Sequence, residues 1–142
     1  MLHGRSPEPS PRLPEMKYVP EGHLAPAGCS GSTGGAPDEV RAYLDLRNRI
    51  LKELADAGTP IMMGTDSPQL FDVLGFALHR EIAVMSEAGM TKQQILESGT
   101  ATVGRYVTDH LKITRSFGTV SVGQRADLVL LGSNPLDDLD NL

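Results

Sequence analysis

The stretch "IMMGTDSP" at residues 61–68 places an ionisable side chain, Asp66, directly after an apolar run and between two hydroxyl residues, Thr65 and Ser67. Two chemistries fit. Asp66 can close a strand in an Asx-type turn, its carboxylate bonding the local backbone. Alternatively, a buried strand can present the carboxylate to a metal or a substrate. Ser67 can then touch the substrate or a nearby water, or serve as a turn hydroxyl. His79, in "LHRE", lies one step from the apolar face marked by Leu78, a position that suits a structural histidine bonded near a helix. His23 and His110 fall in polar segments, and no two of the four histidines, His3, His23, His79 and His110, form a His-x-His pair. Cys29 is the only cysteine. An internal disulfide and a cysteine metal cluster are therefore both impossible, and a flanking Gly and Ser suit a surface thiol better than a nucleophile.

An acid at the tip of an apolar run needs elements to hold it. Pro37 and Asp38 open a helix, because Pro suits a first turn and an acid suits the positive helix end. Apolar residues then follow at Val40, Tyr43, Leu44, Ile50, Leu51 and Leu54, in helical steps, and Gly58 caps the helix. The run at 60–64 is apolar on successive residues, the pattern of a strand covered on both faces. A second amphipathic helix runs through Leu74, Leu78, Ile82 and Met85, with Gly89 placed to cap it. "TKQQ" has the form of a capping box, Thr91 at the N-cap and Gln94 reaching back. A short helix follows through Ile95 and Leu96, and another covers 101–107. Two β-rich runs, 118–122 and 127–131, close on the polar turn "GSNPLDDLDNL". Arg125 and Asp127 read as strand-flanking charges. Residues 1–37 carry most of the prolines and read as an irregular Pro/Gly-rich segment.

Composition narrows the function classes. The 142 residues suffice for one modest core. The formal charge of −5 argues against a nucleic-acid partner, since phosphate binding needs a basic surface. No apolar run is long enough to cross a bilayer, and the polar, Pro-rich start shows no secretory signal. The expected setting is cytoplasmic by default.

Three stretches, "LADAGTPIMMGTDS", "LHREIAVMSEAGMTKQQILESGTAT" and "GTVSVGQRADLVLLGSNPLDDL", follow one another as in the C-terminal part of the metal-dependent amidohydrolase superfamily. The chain resembles its imidazolonepropionase-like and Xaa-Pro dipeptidase-like group. The resemblance covers 38–142, and weakly "PEMKYVP". It implies an α/β fold, a (β/α)8 barrel with a small β-sandwich built from both chain ends. In that reading 60–64 is barrel strand eight and 118–122 and 127–131 are returning sandwich strands. The segments are then 1–37 (loop), 38–112 (C-terminal part of the barrel) and 113–142 (sandwich return and tail). Asp66 matches the family's strand-eight aspartate, which ligates a divalent metal of the zinc type and takes the proton of the attacking water. The family often has a histidine where His79 stands, which implies a place near the site mouth.

The resemblance implies hydrolysis of amide or cyclic amide C–N bonds in small-molecule or peptide-like substrates. The family site also uses a His-x-His pair on strand one, a bridging Lys or carboxylate on strand four, and histidines on strands five and six. The chain matches none of these. The expectation is therefore a fragment: a truncated reading frame, a deliberately cut piece or a degenerate relative. By itself it would hold no metal, would show no activity, and would associate with itself or with the missing N-terminal part. The rival expectation is a non-catalytic interaction module.

Overall fold

A computed structural model describes residues 14–18, 36–67, 73–114 and 116–142. His3, His23, Cys29 and most of the 1–37 segment lie outside the described residues. Within that segment, Pro14–Tyr18 forms a short 3-10 helix. Tyr18 stacks on Phe76 with ring centroids 5.6 Å apart.

Among the described residues four α-helices follow: α1 Pro37–Asp56, α2 Phe76–Glu87, α3 Lys92–Gly99 and α4 Ala101–Asp109. Each boundary has a local cause. Pro37 opens α1, and the Glu39 carboxylate accepts a hydrogen bond from the Ala36 N–H at 3.1 Å. Asp38 and Glu39 place negative charge in the first turn, where the helix dipole favours it. Gly58 and Gly89 follow α1 and α2 with φ of 74° and 90°, a region closed to most side chains. Thr91 and Gln94 form the expected capping box. The Gln94 N–H donates to Thr91 Oγ1 at 3.2 Å, and the Thr91 N–H to Gln94 Oε1 at 2.8 Å. Gln94 Nε2 also donates to the Ala55 carbonyl at 3.1 Å, tying α3 to the end of α1.

The helices pack in chain order, α1 on α2, α2 on α3, α3 on α4. The core shared by α1, α2 and α3 is Ala55, Met85, Met90 and Ile95, flanked by half-buried Leu51, Ile61, Met63, Ile82 and Leu139. Ile95 has no exposed surface. Burying a side chain of that size stabilises by about 1.5–3 kcal/mol. Only part of the apolar face of α1 is used. Leu51 and Ala55 pack inward, whereas Tyr43, Leu46, Ile50 and Leu54 remain exposed. On α2, Ile82 and Met85 face the core and Leu78 does not; Leu74, expected in this helix, lies in the turn before it and is exposed.

Among the described residues no β-ladder forms. Residues 61–67 lie outside any helix and are covered on one face: Ile61 and Met63 pack on the core, while Met62 is exposed. At the C-terminal end Val120, Val122, Leu128, Val129 and Leu130 are exposed. The Arg125 N–H donates to the Ser116 carbonyl at 2.9 Å, and the Arg125 guanidinium pairs with Asp127 and lies 4.7 Å over the Phe117 ring. The tail is anchored by Leu139 in the core and by Lys92, whose ammonium donates to the Asp137 carbonyl. No described helix is long and apolar enough to cross a membrane.

Candidate functional site

Burial alternates along the segment that carries Asp66. Ile61, Met63, Thr65 and Ser67 are half-buried; Met62, Gly64 and Asp66 are exposed. The period of two is what a pleated segment gives when one face lies on a helical layer. Asp66 therefore stands on the face turned away from that layer.

The turn around Asp66 is built by its neighbours. Thr65 Oγ1 lies 3.0 Å from Ser67 Oγ and donates to it, and the Ser67 N–H donates back to Thr65 Oγ1 at 3.3 Å. Asp66 has φ of 53°, in the left-handed region. That conformation costs most side chains about 1–2 kcal/mol; Asp is among the few that visit it, because a short polar side chain can bond locally. Thr65 and Ser67 thus brace the turn from either side of Asp66, a role that the sequence reading did not give to Thr65. The only signal for it is a hydroxyl two residues before Ser67.

An exposed carboxylate on a hydroxyl-braced turn can act as an oxygen ligand or a proton acceptor. A catalytic zinc site uses three protein ligands. Among the described residues no three of His, Cys, Asp and Glu converge. Asp66 suits one ligand position, and the described residues do not assemble the remainder of such a centre. His79 is exposed on α2. His110 is exposed beyond α4, with its ring 5.0 Å from that of Tyr106. Ser67 is beside Asp66, its hydroxyl already accepting from Thr65.

A concavity among the described residues lies elsewhere. It is an open groove of about 620 Å³ lined by Asp45, Asn48, Arg49, Lys52, Glu53 and Glu87 of α1 and α2. The acids and bases that line it are mixed, and none of 61–67 contributes. A shallow groove without a dominant charge is a poor small-molecule site, because such sites bury most of a ligand's surface. Asp66 is the stronger candidate.

Comparison with known proteins bears on the family. The profile of the amidohydrolase family matches residues 42–142, and the chain belongs to that family. No curated protein and no solved structure matches it.

Proposed function

We propose that the chain is part of a metal-dependent hydrolase that cleaves amide or cyclic amide C–N bonds, of the imidazolonepropionase-like and Xaa-Pro dipeptidase-like group. The observation that carries this reading is Asp66: an exposed carboxylate, on a braced turn, at the end of an apolar segment of an amidohydrolase-family chain. In this reading 60–64 is a strand of a (β/α)8 barrel, and 118–122 and 127–131 belong to a β-sandwich. The uncovered Met62 and the exposed Val120, Val122 and Leu128 to Leu130 support it, since apolar β-rich runs gain by pairing and burial.

Asp66 would supply one oxygen ligand to a divalent ion of the zinc type, and the remaining ligands would have to come from outside the described residues. With such an ion bound, its carboxylate would accept the proton of the attacking water, as a general base does. Ser67 and His79 are the chain's candidates for substrate contact.

A second reading, a non-catalytic docking module, draws on the uncovered face of α1, where Tyr43, Leu46, Ile50 and Leu54 are exposed. The two readings separate on the naturally expressed polypeptide that contains this sequence. Bound divalent metal, with hydrolysis of dipeptides or N-acyl amino acids that a chelator removes, supports the hydrolase. Absence of both from that polypeptide overturns it in favour of the module.

A further inference from the structure

The placement of Asp66 depends on one alignment of its segment. A slip by one residue would exchange the two faces of 61–67, turning Asp66 toward the helices and Ile61 and Met63 toward solvent. The alignment is tied to the helical layer at Met63, whose N–H donates to the Ser98 carbonyl at 3.0 Å. Ser98 is itself fixed. It is 2% exposed, and its hydroxyl donates to the Ile95 carbonyl at 2.6 Å and lies 3.8 Å from Met85 Sδ. The next residue, Gly99, borders the Met63 side chain. A Cβ at Gly99 would lie 3.6 Å from Met63 Sδ and 3.8 Å from its Cε. A methyl group fits at those distances; a branched side chain crowds the thioether.

We infer that Ser98 and Gly99 are positioning residues for Asp66: the Ser98 carbonyl sets the register of 61–67, and Gly99 leaves a seat for the Met63 side chain. The carboxylate faces outward because Met63 faces in. This inference rests on the reading of Asp66 as the reactive carboxylate, and its test measures register without measuring turnover.

Two adjacent methionines on opposite faces report the register directly. Met62 is 46% exposed, Met63 is half-buried on the core, and Met85 and Met90 are buried. Brief treatment with hydrogen peroxide, followed by peptide mass spectrometry, gives the oxidation rate at each. Met62 is expected to oxidise several-fold faster than Met63, with Met85 and Met90 slowest. Gly99→Ala should keep that ratio. Gly99→Val should bring it toward one while Met85 and Met90 stay protected. Equal rates at Met62 and Met63 in the unaltered chain, or an unchanged ratio in Gly99→Val, would overturn the inference.

Should Gly99→Val open the helices and expose Met85 and Met90, amide hydrogen exchange in the unaltered chain decides. A Met63 amide slower than those of Met62 and Gly64 supports the lock; equal rates overturn it. Asp66→Asn leaves the methionine ratio unchanged. Loss of turnover in that variant therefore addresses the catalytic reading alone.

Discussion

Replacing Gly104 with alanine should destabilise the protein, against the usual direction for a glycine inside a helix. Gly104 is buried in α4, and the segment at Phe117 and Gly118 crosses it closely. A Cβ at Gly104 would sit 2.9 Å from the Phe117 carbonyl carbon, 3.5 Å from Gly118 Cα, and inside van der Waals distance of the Phe117 oxygen. Carbon–carbon contacts are comfortable from about 3.5 Å, so the backbone must part by roughly 0.6 Å or more. The obstacle is main chain, which has no rotamer to turn away. Overpacking of this kind costs about 1–3 kcal/mol, and the rigid neighbour places it near the upper figure. Against it, Gly→Ala gains ~1 kcal/mol of helix propensity. The net expectation is a loss of roughly 2 kcal/mol, or a fall in Tm of about 5–8 °C for a chain of this size. Thermal and urea unfolding followed by far-UV circular dichroism measures both. Gly64→Ala is the control: no atom lies within 4 Å of its Cβ position. A Gly104→Ala protein as stable as the original, or more so, would refute the close crossing of α4 by residues 117–118.

Three further outcomes follow from the same contacts. Thr91→Ala removes the acceptor for the Gln94 N–H and should cost about 1 kcal/mol, read as a lower urea midpoint with an unchanged slope. The Asp56 carboxyl lies below its ordinary value of 3.8, chiefly because the Lys52 ammonium donates a hydrogen bond to it. A pKa depressed by folding contributes stability above the unfolded value, and that contribution is lost as pH falls through the folded value. Carboxyl NMR titration should show Asp56 rising in Lys52→Met, and an unmoved titration would remove Lys52 as the cause. Finally, the open apolar faces at Tyr43, Leu46, Ile50, Leu54 and Leu128 to Leu130 should make the chain associate; sedimentation showing a monomer at every concentration would mean that those faces are covered within the chain.

How far the sequence could be read depended on how local each cause is. The opening of α1 at Pro37, its end before Gly58, and the Thr91–Gln94 box were all visible, because each is settled within four residues. The extent of burial was less legible. The steps of three and four from Val40 to Leu54 mark an apolar face, but they cannot tell which part of it meets a neighbour. In the structure Leu51 and Ala55 do, and Tyr43 and Ile50 do not. Apolar runs at 60–64 and 127–131 state a need for pairing without naming a partner, and among the described residues none is supplied. The crossing at Gly104 is a long-range event. Its one local trace is a glycine inside a helical pattern, which often marks a close approach. Asp66 was visible as a candidate, whereas the brace of Thr65 and Ser67 and the tie from Met63 to Ser98 needed coordinates.

The most direct test of the central claim is the turnover of Asp66→Asn in the naturally expressed polypeptide that carries this sequence, assayed on dipeptides and N-acyl amino acids. The amide keeps the shape of the carboxylate but cannot accept a proton from water. Loss of a general base typically costs about 10²–10⁴-fold in rate. A loss in that range, with an unchanged circular dichroism spectrum and unfolding midpoint, is the predicted result. Turnover near that of the unaltered protein would remove Asp66 from the chemistry and contradict the account.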